Sequence, residues 1–237
     1  VSLKMMKEEA LVKETPLTQN FIRTLHRTLL REDYTVYRNL PRGFQTSYTI
    51  HAGQYKTRPN SVITRYGDRF EYASPEETPA LMTDLVDWYN NAEAEGKLSP
   101  VELATLFHYR YIRIHPFEDG NGRTARLMSG YILDLNGYGF NGIGSLEEYF
   151  AYDPEEYYAS LQMGLPALYY SGRENPPHPE IWVDYFLRMV ELYSNKVCEL
   201  SKTSTVDILD SSLSHLNTKE KEFLSFLLRK RMIEFTP

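Results

Sequence analysis

Twelve consecutive residues, His115-Pro-Phe-Glu-Asp-Gly-Asn-Gly-Arg-Thr-Ala-Arg126, constrain this chain more than any other stretch. Pro116 disfavours helical geometry at His115, so the helix before it has to stop there. Gly120 and Gly122 admit backbone angles that other residues resist, and Asn121 tolerates left-handed geometry. A second helix is expected from about Arg123. Leu127, Tyr131 and Leu135, flanked by Met128 and Ile132, repeat at helical spacing and Asn136-Gly137 ends the run. The polar turn therefore joins two helices and sits at the N-terminus of the second.

A helix N-terminus offers free N–H groups and the positive end of the dipole, which together make an anion site. Arg123 stands at its rim and Arg126 one turn further on. Two guanidinium forks over a backbone nest suit phosphate better than carboxylate. Asp119, just before the nest, would repel an anion unless a divalent cation bridged them, and an aspartate with phosphate oxygens is a normal way to hold magnesium. His115 is then a base beside a metal-clamped polyphosphate. Other phosphate and metal readings fail on spacing. A Walker loop needs a Gly-Lys pair that is absent here. A dinucleotide turn needs a third glycine where Ala125 stands, and a strand where a helix precedes. A calcium loop would put Arg123 and Thr124 at positions that need an oxygen ligand and a glycine. The alternative is a solvated connection between helices.

The rest of the chain is mostly helical in pattern. Leu3 to Lys13 has one apolar side. Thr15-Pro16 reads as N-cap and first residue of a helix carrying Leu17, Phe21, Leu25 and Leu29; His26 on it is expected to be a satisfied histidine, not a ligand. Residues 33–60 read as irregular. Val62-Ile63-Thr64 and Phe70-Glu71-Tyr72 flank Tyr66-Gly67-Asp68 as a hairpin. Thr78-Pro79 opens a helix that Gly96 ends, and Ser99-Pro-Val-Glu102 is a capping box for the helix running to Ile114. His108 on that helix is read as structural, because further zinc ligands at suitable spacing are lacking, and Phe117 as a buried anchor. Ser145-Leu-Glu-Glu148 and Asp153-Pro-Glu-Glu156 start two more helices, and Tyr169 to Pro179 is a loop. A long helix from Ile181 follows, with Cys198 placed on its apolar face as a core thiol. Ser201 to Ser214 reads as a linker, and Leu216 onward as a new amphipathic helix capped by Thr218.

The twelve-residue stretch resembles the signature of the Fic family, His-x-Phe-x-(Asp/Glu)-Gly-Asn-Gly-Arg-x-x-Arg, with every specified position matched, and the resemblance runs from about Leu17 to about Tyr193. It implies an all-α, mainly helical Fic fold with a small β-hairpin flap. The Fic domain with an N-terminal helical extension takes residues 1–200. Residues 201–237 are expected to be a linker and the first part of a winged-helix domain of the kind many Fic proteins carry. Val1 is not an initiator methionine, so the N-terminus is expected to be processed or truncated.

The activity implied is protein adenylyl transfer, AMP moving from Mg-ATP to a Tyr, Ser or Thr hydroxyl of a target protein. His115 is the implied catalytic base. Asp119, Gly120, Asn121, Gly122, Arg123, Thr124, Ala125 and Arg126 are the implied ATP site, with Tyr157 and Tyr158 beside the base and sugar. Asp119 is the implied Mg²⁺ ligand, and Ser61, Val62 and Ile63 the flap that holds the target by strand addition. Glu118, at the variable position, is expected to face solvent. Gly122-Arg123 favours adenylyl over terminal-phosphate transfer, which goes with Asn-Lys there. Many relatives carry an inhibitory Ser/Thr-x-x-x-Glu-Gly/Asn helix whose glutamate clamps the second arginine. Phe223 spoils the match at Thr218, and the inhibitory helix is expected just upstream of Val1, which would leave Arg126 unclamped within residues 1–237.

Two other classes stay in view. One is a nucleotide-binding transcriptional regulator acting through a complete winged helix. The other is a Fic enzyme of toxin–antitoxin type. The net charge of −6 argues against a chain built mainly to coat nucleic acid, so DNA enters as a partner only if that winged helix is complete. The expected partners are ATP and an unidentified target protein, with a homodimer left open and no membrane. No apolar run reaches spanning length and no signal sequence heads the chain, so a cytoplasmic location is expected.

Overall fold

The structure, a computed structural model, describes residues 16–39, 44–63, 67, 69–138, 146–166 and 175–210. The pattern Leu3 to Lys13, the cap at Ser145 and residues 211–237, where the start of a winged helix is expected, lie outside these. The chain orders as α1 (Gln19–Leu30), β1 (Tyr34–Asn39), β2 (Gln45–Ile50), β3 (Ser61–Ile63), β4 (Arg69–Glu71), α2 (Thr78–Glu95), α3 (Pro100–Ile114), α4 (Asn121–Leu135), α5 (Leu146–Tyr152), α6 (Pro154–Gln162) and α7 (Pro179–Asp210). It is mainly helical, as expected.

The helix ends follow local chemistry. Ser99 and Glu102 form the reciprocal capping box at the head of α3, Gly96 closes α2 in left-handed geometry, and Asp153 caps α6 through the N–H groups of Glu155 and Glu156. The start of α1 differs from expectation. Thr18, not Thr15, is the N-cap, its hydroxyl accepting from the Phe21 N–H at 3.1 Å. The cap moves because Leu17 is held outside the helix, its N–H and C=O both bonded at 2.9 Å to the Asn90 side chain. Helix α7 runs on to Asp210, into the stretch read as a linker.

The helices α3 and α4 pack together as the central pair, one entering and one leaving the polar turn. Against them lie α1 on α4, α2 on α3, and α5 to α7 on the remaining side. Phe107, Tyr111, Phe117, Met128, Ile132 and Phe186 are fully buried, each contributing roughly 1.5–3 kcal/mol. Trp182 of α7 donates its indole N–H to the Thr105 carbonyl of α3 at 3.0 Å, which sets α7 against the centre. Cys198 is exposed, correcting the expected core seat. Its neighbour Val197 takes the buried position, and adjacent helix residues point about 100° apart.

Among the described residues there are two small antiparallel sheets. The expected hairpin is present as β3 and β4, in register Ser61 with Glu71 and Ile63 with Arg69. The other sheet is a correction. Within 33–60, read as irregular, β1 and β2 form a hairpin pairing Tyr34 with Ile50 and Asn39 with Gln45.

Candidate active site

The last turn of α3 ends at His115, which adopts left-handed geometry with φ 53° and ψ 59°. A non-glycine residue there costs about 1–2 kcal/mol, so the surroundings must hold it. Asn121 does part of this, accepting from the Phe117 N–H at 2.9 Å and donating to the Phe117 carbonyl at 2.7 Å. Phe117 is the anchor expected of it, fully buried and stacked on His26 at 3.7 Å between centroids. The His26 Nδ1 accepts from the Gly53 N–H at 2.8 Å, so its Nε2 carries the proton and donates to the Asp119 carbonyl at 2.9 Å. Burial drives the His26 imidazole down to about 4, which keeps it in this neutral form at neutral pH. It is the satisfied histidine expected, but it pins the turn between α3 and α4.

His115 faces a cavity of about 270 Å³. Its ring stacks on Tyr72, just past β4, at 3.8 Å and 12°. Its Nδ1 is buried, and the ring borders the cavity. Asp119, Arg123, Arg126 and the backbone of Gly120 to Gly122 line the same space. The first helical bond of α4 runs from the Thr124 N–H to the Gly120 carbonyl at 2.9 Å, so the N–H groups of Asn121, Gly122 and Arg123 precede the internal ladder. Gly120 caps the helix at φ 77°, where a side chain would be strained and its Cβ would stand 3.3 Å from His26 Nε2. His115 and the N-terminal end of α4 thus share one cavity.

The charges around it are interlocked. Asp119 Oδ2 accepts from the Tyr34 hydroxyl at 2.5 Å and from Arg123 Nη2 at 2.9 Å. Burial pushes this carboxyl up, but Tyr34, the Gly120 N–H and Arg123 together outweigh it and hold it below the usual carboxylate range. Arg123 is half-exposed in that pair. Arg126 is more enclosed, and Glu147 of α5 holds its Nη2 at 2.7 Å. That corrects the expectation of an unclamped Arg126: a glutamate does pair with it, from α5. Burial works against the Arg126 charge and Glu147 more than restores it. Glu118 is also corrected. It does not face solvent, because Arg58 Nη2 holds it at 2.7 Å and the Thr57 hydroxyl donates to it at 3.2 Å.

The remaining expected residues divide by burial. Thr124 and Ala125 are fully buried, the Thr124 hydroxyl donating to the Gly120 carbonyl at 2.9 Å, so their side chains hold the helix start. Asn121 offers the cavity its backbone, its side chain being spent on Phe117. Of the tyrosine pair, Tyr157 is 2% exposed and bonded to His108 at 2.8 Å, while Tyr158 is 38% exposed; both border the cavity. His108 is fully buried between Tyr157 and the Ser129 hydroxyl, structural as read. Ser61 reaches the cavity rim, and Val62 and Ile63 follow it in β3. Tyr34, Lys56, Asn60 and Glu147 were not singled out from the sequence. Only spatial closeness marks them.

The comparisons with known proteins agree with this geometry. Residues 16–133 match the Fic/DOC family. Protein adenylyltransferase fic-1 of Caenorhabditis elegans is 34% identical over 173 residues, 73% of this chain but 30% of that protein. The chain therefore spans about a third of that curated relative. A Fic domain containing signaling protein from Bacteroides thetaiotaomicron superposes with a TM-score of 0.61 at 44% identity, covering 83% of this chain and 65% of that one. A solved structure of a Fic-1 fragment from C. elegans, carrying one substitution, gives a TM-score of 0.54 at 26% identity, covering 84% and 48%. With the signature on one turn, and that turn closing one cavity, this chain belongs to the Fic/DOC family.

Proposed function

We propose that this chain is a protein adenylyltransferase, moving AMP from ATP to a hydroxyl of a target protein. The observation that carries the reading is the single cavity shared by His115, the N-terminus of α4 and the two arginines. The fic-1 relative, named a protein adenylyltransferase, supports it.

The target hydroxyl oxygen attacks the α-phosphorus, and the bond to the pyrophosphate oxygen breaks. His115 takes the hydroxyl proton as general base. The N–H groups at the head of α4 face the charge that grows on the departing pyrophosphate, while Arg123 and Arg126 orient the β and γ phosphates. Such chemistry asks mainly for positioning and charge neutralisation. Tyr158 is the more open of the two tyrosines towards the base and sugar. The β3 strand, paired only with β4 among the described residues, presents its other edge for strand addition by the target.

Asp119 fits the role of Mg²⁺ ligand. Its carboxyl is held in the charged form, and no cluster of three His, Cys, Asp or Glu that could hold an ion by itself exists among the described residues. A metal here needs the nucleotide's oxygens to complete its shell. When bound, Mg²⁺ supplies charge neutralisation on the phosphates.

Cell lysate incubated with α-labelled or γ-labelled ATP tests the reading, wild type against His115→Ala. Label from the α position alone, lost in His115→Ala, is the expected result. Label from the γ position replaces the reading with phosphate transfer. Label from neither, with ATP still bound, replaces it with a nucleotide sensor.

A further inference from the structure

The carbonyls on both sides of the catalytic base are held from a segment outside the signature. Lys56 Nζ donates to the Ile114 carbonyl at 3.0 Å, and the Lys56 N–H to the Pro116 carbonyl at 2.8 Å. Asn60 Nδ2 donates to the His115 carbonyl at 3.0 Å and to the Phe117 carbonyl at 2.7 Å. Four successive carbonyls, 114 to 117, are thus bonded by two residues. Those two are also bonded to each other, Lys56 Nζ to Asn60 Oδ1 at 2.8 Å. That bond fixes which way the Asn60 amide faces, because an oxygen accepting from the ammonium leaves the NH₂ to face the turn.

This arrangement is more than a packed loop. Lys56 is 3% exposed and burial lowers its amine to about 7, and a nitrogen that deep needs specific partners. It sits at the C-terminal end of α3, where unsatisfied carbonyls and the negative end of the dipole favour a cation. His115 stands in left-handed geometry between the bonded carbonyls, and such a conformation persists only where neighbours over-determine it. Asn60 also leads straight into Ser61, the first residue of β3, so one short segment joins the base to the strand proposed to hold the target.

We propose that Lys56 and Asn60 are positioning residues for His115, setting the direction of its imidazole by holding the backbone on either side of it. The proposal rests on the adenylyl-transfer reading for its activity readout only. Lys56 is spent on a backbone carbonyl and on Asn60, and Asn60, though it borders the cavity, has its amide spent on the turn and on Lys56. Their removal should therefore lower the rate at saturating ATP and leave ATP binding nearly unchanged. A misplacement of about 1 Å costs on the order of a hundredfold in rate.

The experiment compares wild type, Lys56→Met, Lys56→Arg and Asn60→Ala. Label transfer from α-labelled ATP at saturation, ATP affinity by calorimetry, and the His115 imidazole signals by nitrogen-resolved NMR are read on each. Lys56→Met should fall roughly a hundredfold in transfer with ATP affinity within threefold. Its His115 signals should shift, while those of His178, far along the chain, stay in place. Lys56→Arg, which keeps a charged donor, should recover most of the transfer. Asn60→Ala should reproduce the loss, and it decides the matter if Lys56→Met does not fold. Transfer within threefold of wild type, unmoved His115 signals, or failure of both substitutions to fold would each overturn the proposal. If wild type transfers no label, the adenylyl-transfer reading fails, and the NMR arm still decides whether these residues set His115.

Discussion

The turn at 115–126 and the segment from Tyr34 to Asn60 meet at one cavity but are built differently. The turn carries its chemistry in adjacent positions: a base, an acid, two arginines and a backbone nest. The earlier segment carries no reactive constellation. It supplies single side chains that each bond something the turn needs held, Tyr34 the Asp119 carboxylate, Asn60 the His115 carbonyl and Arg58 the Glu118 carboxylate. The comparison separates two kinds of importance. Changes to the reactive side chains of the turn, His115, Arg123 and Arg126, should remove chemistry and spare the fold. Changes around it should alter stability or geometry, and rates only through these.

The largest effect expected is on the first side. His115→Ala should lower transfer by about 10²–10⁴, with denaturant stability unchanged to within about 0.5 kcal/mol. A stability loss of several kcal/mol in urea titration would show that the base is part of the brace and would blur the distinction.

Acid stability probes the brace. His26 falls from its ordinary 6.5 to about 4 in the fold, because burial disfavours its charged form. Between those values the unfolded chain takes up a proton that the folded chain refuses. Stability should therefore fall as pH drops from about 6.5 to 4, by at most about 3 kcal/mol. Urea titrations of wild type and His26→Gln across that window check this. Equal acid sensitivity in both would remove His26 as the cause. Protonated His26 could no longer accept from the Gly53 N–H, so the Phe117 stack and the Asp119 carbonyl lose their support together.

Next in size is Glu147→Gln. The Glu147 carboxylate sits 2.7 Å from a guanidinium assigned to phosphate, so it competes with the nucleotide for Arg126. Neutralising it should tighten ATP binding by about fivefold, roughly 1 kcal/mol, read by calorimetry. Weaker binding would mean that Glu147 aims Arg126 rather than opposing its ligand.

Legibility in the sequence follows the same division. The turn could be read because Pro116, Gly120 and Gly122 act on the residues beside them, and because the helix after it repeats its apolar residues at 3.6 spacing. The capping box at Ser99 is equally local. The hairpin β1–β2 escaped because most of it is exposed, Ile50 alone being buried among its described residues. A two-stranded sheet with little buried face has no alternation of apolar and polar residues to announce it. Cys198 was misplaced because a broad apolar stripe does not say which of two adjacent helix positions turns inward. Glu147 and Lys56 find their partners 21 and 58 positions away, and no spacing rule reaches so far.

Tyr34 is the closest contest between the two regions, and its effect should be the smallest. Its hydroxyl reaches the Asp119 carboxylate at 2.5 Å from a strand that no sequence signal marked. Tyr34→Phe removes that bond and leaves the ring in place. Because Arg123 still holds Asp119 and the carboxylate is 42% exposed, water can replace the lost donor. The expected cost is less than about 1 kcal/mol in urea titration, with ATP affinity within threefold of wild type. If ATP affinity instead falls tenfold or more, Tyr34 sets the direction of the carboxylate that the turn presents to its ligand. The hairpin then belongs with the chemistry, and the line between the two regions has to be drawn on the far side of β1.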